Sequence, residues 1–358
     1  MKILLLEEYS GFFKNLKEGL VANGHEVLFI ATQDRWKKID GMDIIISSRY
    51  GGLIGKIVRR FKILFYMRHM KGFDVVFLIN QSFLLQGIST FMLWFLKRNN
   101  KRFFLSACGG DVQYIDYGLN SGYRAWPYDG CLQEATKIYK KPHHKRLNAN
   151  VASVVDGVIP VTYEYAEAWR NSKYKELLLP TIPLPMNTDV VKMSSQNFKK
   201  KIIFFHGLSR ECFKGTIHIV KAMKNMKEKY PEDIEIIIDG RMPLKDYLKL
   251  LDRVNVVIDG CKGYTYSSMN SLYSMALGKI VMIPAEKECI DEFQLKEDPP
   301  VIHTSANSEF IERQMEFLVH NNRDKLKEMS IKSRRFVKEI HGHRLIADKY
   351  VKAWSNFF

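Results

Sequence analysis

The chain has 358 residues, of which 46% are hydrophobic and 12% aromatic, so it can fill two cores and is not an intrinsically disordered protein. Its formal net charge of +16 is concentrated in residues 51–150, where 16 Lys and Arg stand against 5 Asp and Glu. Such a charge attracts phosphates, nucleic acid or an anionic lipid surface, although a solvated basic surface is the ordinary alternative.

The first residues, "MKILLLEEYS", contain a short apolar run that predicts a first strand and is too short for a signal peptide. Further along, residues 75–96 carry no charge over 22 residues, a length that can span a bilayer. Polar residues interrupt that stretch in its middle, so we predict a strand, a polar turn and an amphipathic helix in place of a membrane span. These interrupting residues are Asn80, Gln81, Ser82, Gln86 and Gly87.

Short apolar runs alternate with helical patterns along the chain, which is typical of parallel α/β proteins. Strands are predicted at "KILLLEE", "HEVLFIAT", "DIIISS", "DVVFLIN", "RFFLSACGGD" and "VDGVIPVT". A proline-rich connector, "LLLPTIPLPMNTD", precedes a second series at "KIIFFHG", "IEIIIDG", "VNVVIDG" and "KIVMIPA". The pattern predicts two Rossmann-like doubly wound domains that face each other across a cleft, over residues 1–190 and 191–340, with a C-terminal helix at 341–358 returning towards the first domain.

The cysteines predict a reducing, cytosolic setting without a disulfide framework. Their number is odd, and none of them forms a CxxC pair or a histidine-spaced metal pattern. The five are Cys108, Cys131, Cys212, Cys261 and Cys289.

Two predicted strands are followed by residues that suit a phosphate. Gly11 lies between the first strand and its helix, where a glycine either makes the turn or lets a phosphate approach the helix N-terminus. In "FHGLSRECFKGT" the strand ends at Gly207, and the loop then offers Arg210 and Lys214. Arg and Lys suit a diphosphate, although two solvated surface charges are an equally ordinary interpretation.

A third strand, "NVVIDG", ends at Asp259, and the next helix begins near residues 267–270. The first turn of a helix has unpaired N–H groups and a dipole that favour an anion. Ordinary N-capping explains one hydroxyl there, but it leaves the glycines and the small "SMALG" packing face unexplained. We therefore predict that a nucleotide diphosphate binds at this helix start, which consists of Ser267, Ser268, Met269 and Asn270.

These motifs together resemble the GT-B glycosyltransferases, and among them the bacterial retaining enzymes of surface-polysaccharide synthesis. The likeness rests on "FHGLSR…KGT…IVKAM" and on "SMALGKIV", which is similar to the family's "EAMACGKPV". "GLVANGHEV", "GGDV" and "IPLPMNTD" follow the family pattern in the same order along the chain. Two glutamates of the family's E-x7-E helix are replaced here by Thr265 and Tyr273, and Cys108 stands where a His often precedes the glycine.

The resemblance implies that the first domain binds the acceptor and the second the nucleotide sugar. It places the donor diphosphate and nucleotide on Gly11, Gly207, Arg210, Lys214 and residues 267–270. Asp259, Tyr266 and Tyr273 would contact the donor sugar or ribose. Asp111, at its strand end, is the candidate catalytic base, with a loop-capping role as the alternative.

The predicted function is transfer of a sugar from a UDP-linked donor to a saccharide or lipid-linked saccharide, without a cofactor or a metal. The basic helix "KIVRRFKILFYMRHMK" predicts contact with an anionic membrane surface, at the inner face of the cell membrane, whereas nucleic acid is not expected as a partner. A sugar-nucleotide epimerase of the same fold and a non-catalytic or nucleic-acid-associated protein are the alternatives.

Overall fold

A computed structural model of the chain contains two compact units, which we describe separately. The first unit consists of Met1–Gly122, Gln133–Pro185 and His343–Phe358, and the second of Tyr123–Leu132 and Met186–Gly342. The sequence predicts a boundary after residue 190 and a returning C-terminal helix from residue 341. The structure describes residues 1–32, 35–81, 83–84, 89–120, 122–133, 139, 141–198 and 200–358.

The first unit is built on a six-stranded parallel sheet. Its strands are β1 (Lys2–Leu6), β2 (Glu26–Ala31), β3 (Ile44–Ile45), β4 (Val75–Ile79), β5 (Arg102–Ala107) and β6 (Gly157–Pro160). They are arranged in the order β3-β2-β1-β4-β5-β6, with Leu4 opposite Leu28 on one side and Val76 on the other. Every residue of β4 is buried, as expected for a strand that helices cover on both faces.

Seven α-helices accompany this sheet in the described residues. They are α1 (Phe12–Ala22), α2 (Gly52–Tyr66), α3 (Ser89–Asn99), α4 (Val112–Leu119), α5 (Pro142–Ala152), α6 (Tyr163–Arg170) and, at the end of the chain, α14 (His343–Ser355). Helices α2, α3 and α5 contribute Ile63, Leu93 and Leu147 to one core cluster with Leu4 and Leu78 of the sheet.

Helices α1 and α14 pack on the other face, because side chains of alternate strand residues point to opposite sides. Phe13, Tyr350 and Trp354 all lie with their rings within 5.3 Å of the Phe77 ring centroid. The predicted return of the C-terminal helix to the first domain is therefore confirmed.

The uncharged stretch from residue 75 consists of β4 and α3, as predicted. Of its predicted polar turn, Ser82, Gln86 and Gly87 lie outside the described residues. Within the described part of the chain, no helix combines the length and the hydrophobicity that crossing a membrane requires.

The second unit has a five-stranded parallel sheet in the order β11-β10-β9-β7-β8. Its strands are β7 (Ile202–Leu208), β8 (Ile234–Gly240), β9 (Val256–Ile258), β10 (Ile280–Ile283) and β11 (Ile302–His303). Its helices are α7 (Glu211–Lys214), α8 (Thr216–Lys229), α9 (Leu244–Asp252), α10 (Met269–Ala276), α11 (Lys287–Glu292), α12 (Ser308–His320) and α13 (Arg323–Ile340). Phe204, Ile219 and Met315 are among the residues of its core.

One cysteine pair corrects the expectation from the sequence. Cys131 and Cys212 form a disulfide across 81 residues of sequence, with their Cα atoms 6.1 Å apart. A disulfide requires that folding bring two Cα atoms to within about 7 Å, and spacing along the chain carries no such information. Cys108, Cys261 and Cys289 are not part of a disulfide in the described residues.

Candidate functional site

The second sheet reverses its order of strand addition between β7 and β9. From β7 the chain first adds β8 on one side and then crosses to β9 on the other side. In doubly wound sheets the crevice at the carboxyl ends of two such strands is the usual place for a ligand. The segments that follow β7 and β9 contain Arg210, Lys214 and Asp259, so the structure brings these three sequence-predicted residues to one sheet edge.

Arg210 and Lys214 lie at the two ends of the short helix α7. The Arg210 side chain is exposed, and its Nη2 donates a hydrogen bond to the Tyr128 hydroxyl at 2.6 Å. Its guanidinium carbon lies 3.6 Å from the centroid of the Phe213 ring, which is a cation–π geometry. A ring below and a hydroxyl at the side restrict the rotamers of this cation.

Lys214 forms a mostly buried ion pair with Asp259, at 2.8 Å between Nζ and Oδ1. The Asp259 carboxylate also accepts hydrogen bonds from Nδ2 of Asn270, at 2.5 Å, and from the hydroxyl of Ser268. Burial pushes the pKa of Asp259 upwards, but the Lys214 ammonium and these donors hold the pKa below its ordinary value. The carboxylate is therefore charged at neutral pH.

This network lies at the start of α10, where the sequence predicts a bound diphosphate. Ser268 is the N-cap residue, and its hydroxyl accepts a hydrogen bond from the N–H of Ser271. The Ser271 hydroxyl in turn accepts from the N–H of Ser268, which completes a capping box. Beyond that, the Ser268 and Asn270 side chains hold Asp259, so the anion at this helix start is the protein's own carboxylate. Ser267 and Met269 are both buried.

The two tyrosines assigned to sugar or ribose are buried residues. Tyr266 is fully buried, with the rings of Phe293, Phe336 and His341 within 5.8 Å of its centroid. Tyr273 is buried within α10. The structure thus places Tyr266 in an aromatic cluster. The sequence does not show this, since an aromatic residue beside polar neighbours in sequence can still point into the core.

Gly207 is the penultimate residue of β7, and an added Cβ there would meet nothing closer than 3.5 Å. Gly215, between α7 and α8, has a φ of +72°, and a Cβ at this position would lie 2.4 Å from Cys261 Sγ. A glycine is therefore required at the turn that leads from Lys214 into α8. Any other residue would be strained by the positive φ, and its Cβ would collide with Cys261.

His206 is a central residue of this sheet edge that the sequence did not single out. Its imidazole is fully buried and bridges two elements, with Nδ1 2.7 Å from the Ile258 carbonyl oxygen and Nε2 2.9 Å from the Thr216 hydroxyl. Burial, together with the nearby Lys214 charge, lowers the pKa of His206 to about 4. The sequence indicates such a role only by the presence of a polar residue at the end of the apolar run "KIIFFHG".

In the first unit, the start of α1 is occupied by a carboxylate of the protein itself. Glu8 accepts hydrogen bonds from the N–H groups of Gly11 and Lys14, at 2.7 and 2.9 Å, so the Glu8 carboxylate already occupies the N-terminus of α1. Both N–H groups are therefore already bonded within the chain, and the phosphate contact at Gly11 stays a prediction. Gly11 itself has a φ of 95°, as a turn glycine.

Asp111 has the geometry of a helix cap. One carboxylate oxygen accepts from the N–H of Tyr114 and the other from Nε1 of Trp169, each at 2.8 Å. The residue is buried, and burial raises the pKa of Asp111 to about 6. This arrangement favours the loop-capping alternative over the catalytic base.

No protein-family profile matches the chain, and no curated protein sequence matches it either. Several solved structures do match the chain in their fold. Anabaena HepE in complex with UDP and glucose is 11% identical, with 99% of this chain and 100% of that chain covered and a TM-score of 0.64. A glycosyltransferase from Rickettsia africae is 12% identical, covers 99% and 98% and has a TM-score of 0.58.

The chain has the GT-B fold, with two Rossmann-like domains. The expected fold class is thus confirmed along 99% of the sequence. The UDP-GlcNAc 2-epimerase of Neisseria meningitidis bound to UDP-GlcNAc also matches, at 12% identity, 99% and 100% coverage and a TM-score of 0.56.

Proposed function

We propose that the protein is a glycosyltransferase that moves a sugar from a nucleotide-diphosphate sugar, UDP-linked, to a saccharide or lipid-linked saccharide acceptor. The observation that carries this proposal is the pair of cations, Arg210 and Lys214, after β7 at the point where the second sheet reverses its strand order. The fold supports it, since solved proteins with this fold contain UDP or UDP-glucose. We assign the donor to the second unit and the acceptor to the first.

In such a transfer, negative charge builds up on the leaving diphosphate. Preorganised cations stabilise that charge without having to reorganise, which is often the largest catalytic contribution. Arg210 is held by Phe213 and Tyr128 in one orientation, and Lys214 by Asp259. In this proposal the diphosphate accepts from the Arg210 guanidinium and from Lys214 N–H groups that do not point at Asp259, so the reaction needs no metal.

We further propose that the transfer retains the anomeric configuration. Front-face attack requires no strong base, and two groups at strand ends are already engaged within the protein: both Asp111 oxygens accept internal hydrogen bonds, and both His206 nitrogens have partners. The engagement of Asp111 and His206 also disfavours the epimerase alternative, which needs acids and histidines at the donor sugar.

Nucleotide titration tests the proposal. We expect UDP to bind the wild-type protein in isothermal titration calorimetry and Arg210→Ala to weaken binding about tenfold or more, because a charged hydrogen-bond donor is lost. Lys201→Ala is the matched control, since Lys201 is a partly exposed cation just before the opposite end of β7, where it contacts Glu232. Absence of binding to UDP, GDP and CMP, or equal binding by Arg210→Ala, would contradict the proposal.

A labelled donor separates the remaining functions. With a UDP-sugar and a saccharide acceptor, a transferase releases UDP and labels the acceptor, whereas an epimerase returns an isomerised nucleotide sugar and releases little UDP. Strongly salt-dependent binding to nucleic acid, without nucleotide binding, would instead favour the non-catalytic alternative.

We also propose that an anionic membrane surface is a partner of the first unit. Only Gly55 and Ile63 of α2 are buried, and six of its large apolar side chains are between 40% and 72% exposed. Residues 52–66 contain four Lys and Arg and no Asp or Glu. These exposed apolar residues are Leu53, Ile54, Ile57, Phe61, Leu64 and Phe65.

Helix α3 extends this surface, because it contributes to the same core cluster as α2 and therefore covers the same face of the sheet. Phe91 and Trp94 of α3 are exposed and stack on each other, and Arg98 lies over the Trp94 ring at 5.8 Å. Exposed aromatic and aliphatic side chains between cations suit the interface of an anionic bilayer, where apolar groups enter the headgroup region and cations meet phosphates.

Vesicle sedimentation tests this partner. We expect the protein to bind vesicles that contain phosphatidylglycerol more strongly than pure phosphatidylcholine vesicles, and high salt to weaken this binding. The variant Leu53→Ser/Phe61→Ser/Phe65→Ser should lose it. A control variant, Val21→Ser/Phe317→Ser/Ile331→Ser, removes equally exposed apolar residues elsewhere and should keep it. Equal loss in both variants, or no binding by the wild type, would argue against a docking surface on α2.

A further inference from the structure

Residues 123–132, which we call the strap, belong to the second unit although the chain on both sides of them belongs to the first. One part of the strap is fixed on loops of the second unit. The Tyr264 hydroxyl accepts from the N–H groups of Arg124 and Ala125, at 2.6 and 3.0 Å. The Arg124 guanidinium pairs with Glu286 and Glu288, at 3.0 and 2.8 Å.

The other part of the strap lies against α7, the helix that carries the proposed diphosphate cations. The ring of Tyr128 packs edge-on against Phe213, at 5.0 Å between centroids, and its hydroxyl accepts from Arg210. The disulfide from Cys131 to Cys212 joins the strap to α7 covalently, one residue away from Phe213. Three different interactions therefore converge on one four-residue helix.

A four-residue helix cannot hold an exposed arginine in one orientation by itself, because the free guanidinium samples many rotamers. Phe213 fixes the plane of the Arg210 guanidinium, and the Tyr128 hydroxyl fixes its direction within that plane. Tyr128 is anchored in turn by the disulfide three residues later. The hydroxyl accepts from one guanidinium nitrogen, Nη2, of the five N–H donors that the group carries.

We propose that Tyr128 is a positioning residue that orients Arg210 for the donor diphosphate, and that the Cys131–Cys212 disulfide keeps Tyr128 in place. This inference rests on the proposed function, because it specifies how the same diphosphate site is organised. Reduction by a dithiol breaks the link between the strap and α7. The dithiol gives two electrons and two protons to the disulfide, whose S–S bond breaks to form two thiols, and the dithiol itself closes into a disulfide. The affinity for the diphosphate then falls.

The test is UDP titration of Tyr128→Phe, which keeps the ring on Phe213 and removes only the hydroxyl. We expect the Kd for UDP to rise about tenfold, the range for a hydrogen bond to a charged group. Tyr123→Phe, the same change elsewhere in the strap, where the ring packs against Tyr264, should leave the Kd within about twofold. In an Arg210→Ala background, Tyr128→Phe should have no further effect, since a residue that acts through Arg210 cannot act without it.

The disulfide is tested with the same assay. Cys131→Ser should raise the Kd under oxidising conditions, dithiothreitol should raise the Kd of the wild type to the same value, and the variant should not respond to the reductant. Equal UDP affinity of Tyr128→Phe and wild type, or losses that add in the double variant, would overturn the inference alone. A wild-type protein that binds no UDP would contradict the proposed function, and the inference with it.

Discussion

Glu7 in the first unit and Asp259 in the second both follow a strand directly, but they are in opposite chemical states. Each is the first residue after a buried parallel strand, β1 and β9, and each is nearly inaccessible, at 4% and 3% exposure. Glu7 accepts hydrogen bonds from Thr32 and from the N–H of Glu8, all neutral donors. Asp259 has the Lys214 ammonium at 2.8 Å.

The difference shows that the partner, and not the position, decides whether a buried carboxyl is charged. Burial raises the pKa of Glu7 to about 8 even though its hydrogen bonds lower it, so a protonated form persists near neutral pH. At Asp259 the cation reverses the outcome. The strand ends of the second unit therefore hold ionised groups in fixed positions, which is what binding of a charged diphosphate requires.

The largest effect is expected when the cation of the second unit is removed. Lys214→Met leaves Asp259 buried and unpaired, and we expect it to lower the free energy of unfolding of the second unit by about 3–5 kcal/mol. Urea denaturation followed by circular dichroism measures this loss. Asp259→Asn in the same chain should restore much of it, because a neutral amide needs no counter-ion. Equal stability of Lys214→Met and wild type would mean that the ion pair does not hold this sheet edge.

The next effect concerns the uncompensated carboxyl of the first unit. The folded state binds the Glu7 proton more tightly than the unfolded state, so the contribution of Glu7 to stability falls as pH rises from about 4.5 to about 8. Glu7→Gln keeps an oxygen acceptor for Thr32 and removes the titration. We expect the variant to be more stable than wild type at pH 8, on the order of 2 kcal/mol, and no more stable at pH 4.

Denaturant titrations at both pH values measure this crossover. Thr32→Val is a useful companion, since it removes the hydroxyl that donates to Glu7 without changing its burial, and it should steepen the fall with pH. A Glu7→Gln protein whose stability relative to wild type does not depend on pH would show that Glu7 is ionised in the folded state.

A smaller effect of opposite sign is expected from His206. Its folded-state pKa of about 4 lies below the ordinary 6.5, so its contribution to stability is complete above pH 6.5 and is lost as pH falls towards 4. His206→Gln should reduce this acid sensitivity by about 1–2 kcal/mol at pH 4.5, at some cost in stability at pH 7 from the lost bridge between Ile258 and Thr216.

The sequence alone predicts both sheets, because strands buried on two faces appear as continuous apolar runs that need no long-range information. It also places cations after β7 and an acid after β9. It does not show that Lys214 and Asp259 pair across 45 residues, since that contact depends on which strands become neighbours. The strap has no periodic pattern at all, and its attachment to the second unit rests on contacts such as Tyr128 with Arg210 that only folding creates.

The smallest effect is expected at Asp111, where charge and capping can be separated. Asn is an equally good N-cap residue, so Asp111→Asn should still accept from the N–H of Tyr114 and cost at most about 1 kcal/mol, mainly at the bond to Trp169. If Asp111 only caps α4, the rate of UDP release from a UDP-sugar in the presence of an acceptor should change less than about threefold. A general base contributes about 10²–10⁴-fold, so a loss of that size with unchanged UDP affinity would restore the catalytic assignment. Asp111→Ala, which removes the cap as well, should instead lower stability more than Asp111→Asn does, and this difference identifies capping as the role that the carboxylate performs.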